Sequence, residues 1–235
     1  YPKSHHHLAM KRLIVIIAIL ASLASMSAQS RKGVSILGDS YSTFQGFVTP
    51  DSNFLWYFNV PNPELTDVNA VTQTWWHRLI KDQGWRLCLN NSFSGSTICN
   101  TGYNGEDYSG RSFIARMKNL GSPDIIFIFG GTIASWANAP IGEYVYDNWT
   151  PQQLYSVKPA IAYMLSTMVD YYPGTDIYFI INSELKPEIN ESITSLCERY
   201  GVTPIMLHDI DKKAGHPSIK GMEQIAEQVK QHLKQ

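Results

Sequence analysis

The chain predicts a three-layer α/β/α domain built on a five-stranded, parallel, doubly wound sheet. Three observations carry that expectation. From Gly33 onward, five short apolar runs alternate with segments of helical spacing. Those runs are apolar throughout rather than alternating, as strands are when helices cover both faces of their sheet. At 235 residues, 44% hydrophobic and 12% aromatic, the chain is also long enough to bury one sizeable core.

Taken in order, GVSIL (33–37) reads as the first strand and is followed by an irregular stretch from Tyr41 to about Asn69. Residues 71–84 are helical by the spacing of Val71, Trp75 and Leu79, with Gly84 as the C-cap. WRLCLNN (85–91) is the second strand, RSFIARMKNLG (111–121) a short helix closed by Gly121, and DIIFIFGG (124–131) the third strand. Residues 151–174 read as one long helix with Pro151 in its first turn, and Pro159 inside it predicts a kink or an extra turn. DIYFIIN (176–182) is the fourth strand, residues 187–201 a helix, TPIMLHDI (203–210) the fifth strand, and residues 218–234 the terminal helix. The layout is flavodoxin-like, and ligands of such sheets bind beyond the carboxyl ends of the strands.

The first residues stand apart from this pattern. Residues 1–9, with His5, His6 and His7, read as an expression-tag remnant. Residues 10–28 read as a signal peptide: Lys11 and Arg12, an apolar run too short to span a bilayer comfortably, then small residues before Gln29. A single domain over 29–235, periplasmic or secreted and without a stable membrane anchor after cleavage, is the resulting expectation. A formal net charge of −1 and the lack of a basic stripe argue against nucleic acid as a partner. Cys88, Cys99 and Cys197 are an odd count with no zinc-type spacing, so neither a disulfide framework nor a metal is expected.

The chemistry-bearing residues follow the strands. GDSYSTF (38–44) follows the first, NSFSGSTICN (91–100) the second, GGTIASW (130–136) the third, and DIDKKAGHPS (209–218) the fifth. A serine, a turn glycine, a glycine-rich turn and a histidine thus meet on one rim. Taken singly, each has a plainer reading: Gly38-Asp39-Ser40 as a turn, Gly95 as a turn glycine, His216 as a loop residue before a helix capped by Ser218. Their joint order is what points to chemistry.

With Gly-Asp-Ser after the first strand and His-Pro before the last helix, the chain resembles the SGNH (GDSL-type) hydrolases over most of its length. The resemblance implies Ser40 as nucleophile, His216 as its base, and the backbone N–H groups of Ser40 and Gly95 as oxyanion donors. A serine hydroxyl needs an adjacent imidazole to accept its proton, and the tetrahedral intermediate needs donors aimed at its oxyanion. No cofactor is implied.

Two positions depart from the family pattern. Its third block is Gly-x-Asn-Asp, and here Ile133 and Ala134 follow Gly131 and Thr132. Thr132, Asn100 and Asn182 are candidate replacement donors. Its fourth block is Asp-x-x-His, yet Lys213 precedes His216 by three, which leaves Asp211, ahead of the nearby Asp209, as the expected orienting carboxylate.

Trp136, just past the third block, is expected to contact substrate. The polar, Gly- and Tyr-bearing stretch 101–111 suits a hydrophilic ligand, so a small-molecule or glycan ester is the expected substrate. A catalytically silent glycan binder is the rival. A flavin-binding reading would use SYST (40–43) as the phosphate loop, but that stretch lacks the glycine such a loop uses, and the reading leaves His216 without a role. The α/β-hydrolase elbow Gly-x-Ser-x-Gly does not occur.

Overall fold

The computed structural model describes residues 10–16 and 30–233. They belong to two compact units, divided between Arg31 and Lys32. In the first, residues 10–16 are helical. The tag assignment (1–9) and most of the signal-peptide assignment (17–28) lie outside the described residues.

The second unit carries the predicted sheet. Strands β1 (Gly33–Gly38), β2 (Arg86–Ser92), β3 (Ile125–Gly130), β4 (Asp176–Ile181) and β5 (Thr203–Met206) lie in the order β2-β1-β3-β4-β5, and every pairing is parallel. The strand order reverses between β2 and β3, on either side of β1, which opens a crevice beyond the carboxyl end of the first strand.

The period of two along each strand divides the core into two layers. On β3 and β4, Ile126, Ile128, Phe179 and Ile181 face one cluster, whose helices are α4 (Val157–Tyr171) and α5 (Pro187–Tyr200). Phe127, Phe129, Tyr178 and Ile180 face the other, with α1 (Trp75–Gln83) and α6 (Ile219–Lys230). Both faces are therefore covered, as the unbroken apolar runs require. Trp75 and Trp76 are both core residues, 0% and 2% exposed.

Several element ends move relative to the sequence expectation, each for a local reason. The long helix is two pieces: a 3-10 turn over Pro151–Tyr155, then α4 from Val157. Pro159 therefore falls in the first turn of α4, where an N–H has no intrahelical acceptor to lose, and no kink is needed. The third-block turn forms α3 (Thr132–Trp136). The helix at 111–121 shrinks to α2 (Phe113–Arg116), capped by Ser112, whose hydroxyl accepts the Ala115 N–H. The fifth strand stops at Met206, and the chain then makes a hairpin of β6 (Lys212–Lys213) and β7 (His216–Pro217).

Candidate active site

Ser40 opens a 3-10 turn (Ser40–Ser42) two residues past the end of β1. Side chains from neighbouring elements hold this turn. Trp76 Nε1 and Asn90 Nδ2 donate to the Ser42 carbonyl at 3.0 and 2.9 Å, and Trp75 Nε1 donates to Ser42 Oγ at 3.2 Å. Gly38 is required by close approach: a Cβ there would lie 2.6 Å from Ser92 Oγ and 2.8 Å from Ser42 Oγ. Asp39 caps the turn by accepting the Tyr41 N–H at 3.0 Å.

His216 comes from the β6–β7 hairpin. Its two-residue tip, Ala214-Gly215, has φ of 48° and 73°, the left-handed pair of a type I′ turn. Gly215 suits its position, whereas Ala214 is held against its preference. The hairpin is tied down twice: Tyr41 Oη donates to the Gly215 carbonyl at 2.6 Å and Tyr57 Oη to the Pro217 carbonyl at 2.8 Å. Burial pushes the Tyr41 phenol up, so it stays protonated and able to donate.

The turn and the hairpin bring His216 Nε2 to 2.9 Å from Ser40 Oγ. His216 Nδ1 lies 3.0 Å from the Ala214 carbonyl oxygen. A carbonyl only accepts, so Nδ1 carries the proton and Nε2 is the acceptor facing the serine hydroxyl. That is the tautomer a general base needs.

Asp211 does not fill the expected role. Its carboxylate takes the hydroxyl of Ser218, the N-cap of α6, and its backbone N–H donates to Gln224 at 2.7 Å. The main-chain oxygen of Ala214 meets the imidazole instead, and Lys213 sends its ammonium to the Pro63 carbonyl at 2.6 Å.

Three aromatic rings surround the imidazole. Trp56 stacks on it face to face, with centroids 3.6 Å apart and an interplanar angle of 6°. Tyr41 lies at 5.2 Å and Trp136 at 5.9 Å, both steeply inclined. His216 is only 5% exposed, and this burial lowers its pKa to about 4, with Lys212 adding to the shift and the Ala214 hydrogen bond opposing it.

Gly95 lies three residues past Ser92, which pairs with Gly38 in the sheet. Among the described residues, neither the Ser40 nor the Gly95 backbone N–H has an acceptor. Arg116, buried on α2, fastens the two turns together. Its Nη2 donates to the Gly38 carbonyl at 3.2 Å and to Ser96 Oγ at 2.9 Å, its Nη1 to the Asn91 carbonyl, and its Nε to the Arg111 carbonyl at 3.0 Å. Burial raises the Asp39 carboxyl to about 7, opposed by the Tyr41 N–H and by the charge of Arg116.

Of the candidate replacement donors, Asn182 spends its Nδ2 on Thr132 Oγ1 at 3.0 Å and Tyr41 Oη at 3.3 Å. Asn100 Oδ1 accepts from Ser112 Oγ. Ile133 and Ala134 are buried on α3, and Ala134 belongs to the core cluster. Trp136, by contrast, is 45% exposed beside His216.

Trp56, Arg116 and the Ala214 carbonyl were not singled out by sequence. Trp56 had a signal, since FLWYF (54–58) is an aromatic run inside an irregular segment. Arg116 had none, being one of three cations in the segment 111–121.

Residues 32–233 match the family described as GDSL-like lipase/acylhydrolase. Among solved structures, the chain is similar to a GDSL-like lipase of Bacteroides ovatus at 60% identity (86% of this chain, 98% of that one, TM-score 0.85). It is similar to another from Bacteroides uniformis at 53% identity (87% and 96%, TM-score 0.85). An acetyl xylan esterase of the rumen bacterium Butyrivibrio proteoclasticus shares the fold at 15% identity (87% and 63%, TM-score 0.54). None of the curated proteins matches the chain. The fold and the family match together define a hydrolase of ester bonds built on a parallel α/β/α sheet. The chain belongs to the GDSL-like lipase/acylhydrolase family.

Proposed function

We propose that the protein is an exported serine esterase that removes acyl groups, acetyl foremost, from carbohydrate-borne esters through Ser40 and His216. The observation that carries this reading is the 2.9 Å contact from His216 Nε2 to Ser40 Oγ, with Nδ1 turned to a carbonyl. Ser40 Oγ attacks the ester carbonyl carbon as His216 Nε2 takes its proton. The N–H groups of Ser40 and Gly95 hold the oxyanion. The imidazolium then gives the proton to the departing alcohol oxygen, leaving an acyl-serine. A water molecule, deprotonated in turn by His216, releases the carboxylic acid and restores Ser40.

The Ala214 carbonyl keeps the productive tautomer, whose loss costs about 10⁴ in kcat where an orienting group imposes the other one. It lacks the full negative charge a carboxylate would set against the imidazolium. In the family pattern an Asn stands where this chain has Ile133, and loss of one oxyanion donor costs about 10²–10³ in kcat. Turnover is therefore expected to be slow. The polar stretch 101–111 and the exposed Trp136 favour a small or glycan-borne ester, as does the likeness in fold to an acetyl xylan esterase. Lys11, Arg12 and the apolar run after them support export and a periplasmic or secreted mature chain, residues 29–235, with no nucleic-acid partner and no lasting membrane anchor.

Ile133 also favours a second reading, a silent relative that binds a glycan in the same cleft. Hydrolysis of 4-nitrophenyl acetate by the parent, Ser40→Ala and Ile133→Asn proteins separates the two. Turnover that needs Ser40 and rises with Ile133→Asn supports the esterase. A parent and an Ile133→Asn protein that both stay at the Ser40→Ala background would leave only the binder.

A further inference from the structure

Residues 53–57 cross the mouth of the cleft from the oxyanion side to the histidine side. Asn53 Nδ2 donates to the Ser92 carbonyl at 3.1 Å, and the Phe54 carbonyl accepts the Ser94 N–H at 2.8 Å, one residue before Gly95. Two residues further on, Trp56 stacks on His216. Phe54 therefore sits beside the oxyanion donors, and it is 60% exposed. Its ring packs on Phe93 at 5.1 Å.

Against these two rings lies Arg111, with its guanidinium carbon 6.0 Å from the Phe54 centroid and 5.9 Å from that of Phe93. The same carbon is 3.5 Å from the centre of the Tyr108 ring. At that distance the guanidinium lies flat on the phenol, which satisfies its face and leaves its N–H edge for a ligand. Among the described residues its side chain has no ion pair and no hydrogen bond. Asp107, the nearest acid to it in sequence, accepts the Ser109 N–H at 2.9 Å and the Tyr155 hydroxyl at 3.1 Å.

A half-buried, pre-stacked and unpaired guanidinium next to an exposed ring fits a ligand with an apolar face and a planar anion. A sugar ring supplies the first and a carboxylate on that ring the second. We propose that this corner is a subsite for a carboxylate-bearing sugar, its ring against Phe54 and its carboxylate on Arg111, so that the substrates are esters of acidic glycans. The inference rests on the esterase reading of the cleft and names the substrate class of that site.

The test uses two acetylated substrates that differ at one carbon, a mono-O-acetyl methyl glucuronide and the matching methyl glucoside. The parent should favour the glucuronide in kcat/KM by about tenfold, carried by KM and shrinking as salt is added. Arg111→Gln should bring the ratio close to one, and Arg111→Lys should restore part of it. A ratio near one in the parent, or a fall on both substrates that leaves the ratio intact, would overturn the subsite.

Binding of unacetylated methyl glucuronide and methyl glucoside to Ser40→Ala protein, followed by NMR titration, reads the same preference without turnover. Arg111-dependent binding of the glucuronide with no hydrolysis of any ester would sink the esterase and keep the subsite. Hydrolysis without preference would do the reverse.

Discussion

The two members of the Ser40–His216 pair are held by different kinds of matter. Behind Ser40 lies a buried polar lattice: Asn90 and the indole N–H groups of Trp75 and Trp76 converge on Ser42, Ser92 Oγ donates to Asn90 Oδ1, and Arg116 spans from Gly38 to Ser96. Around His216 there are rings, with one hydrogen bond to a main-chain oxygen. A nucleophile and its oxyanion donors must be fixed in direction, and hydrogen bonds supply direction. An imidazole that must stay neutral until it accepts a proton needs dryness, and aromatic faces supply that. Under the proposed mechanism each half suits the task its atoms would perform.

The largest expected effect tests the joint between the halves. Ser40→Ala should lower kcat on 4-nitrophenyl acetate by about 10³ or more, down to the level left by binding and oxyanion donors alone, with an unchanged midpoint of thermal unfolding. Next comes the lattice. Arg116→Met removes a buried cation whose charge favours the Asp39 carboxylate and leaves the Gly38, Asn91 and Arg111 carbonyls without their donor, a loss on the order of 3–5 kcal/mol by urea unfolding. If Arg116→Met costs no more than an ordinary surface change, the lattice does not hold the two turns together and the contrast with the aromatic side collapses.

How much of this was legible in the sequence follows the same division. Apolar runs identified the central strands β1, β3 and β4, because burial on both faces leaves a compositional trace, whereas the edge strands β2 and β5 carry it more faintly. The Ser40–His216 pair was legible because each residue follows a strand end in the chain, and a parallel sheet brings those ends to one rim. The orienting group was not legible, since the Ala214 carbonyl belongs to the main chain and every residue has one. The expectation settled on Asp211, a carboxylate near the right place in sequence that the hairpin turns towards the cap of α6. Trp56 was hidden because a contact across 160 residues leaves no spacing to read. Arg116 reads as any solvent-facing cation until α2 is seen to bury it.

Sharpening the aromatic half calls for a pH series. Because burial lowers the His216 pKa to about 4, the acidic limb of kcat/KM should lie near pH 4, well below the 6.5 of an ordinary histidine. Trp56→Ala admits water to one imidazole face. It should move that limb upward by about one pH unit and lower kcat about tenfold through looser aim. Stability has the matching sign. As pH falls below 6.5 the unfolded chain takes up a proton that folded His216 refuses until about 4, so this residue reduces stability progressively across that window and not above it. Thermal unfolding of the parent should thus fall more steeply from pH 6.5 to 4 than that of His216→Gln. Equal slopes would mean that the rings do not keep His216 dry.

The smallest effect isolates the one strained residue in the aromatic half. Ala214 holds φ at 48° so that its carbonyl can meet His216 Nδ1, a conformation in which its Cβ is disfavoured. Ala214→Gly removes that conflict in the folded state but gives the unfolded chain more freedom, so the two terms oppose and the net change in stability should stay within about 1 kcal/mol. The carbonyl remains in both proteins, so kcat and the acidic limb should be the same for the glycine variant and the parent. Ala214→Val is the informative partner: a β-branched residue resists positive φ, and relief of that strain would swing the carbonyl away from Nδ1. Slowed turnover in the valine variant, with the Ser40 side left intact, would assign the orientation of the imidazole to this single main-chain oxygen. Undiminished turnover would mean that the stacked Trp56 ring holds the imidazole unaided.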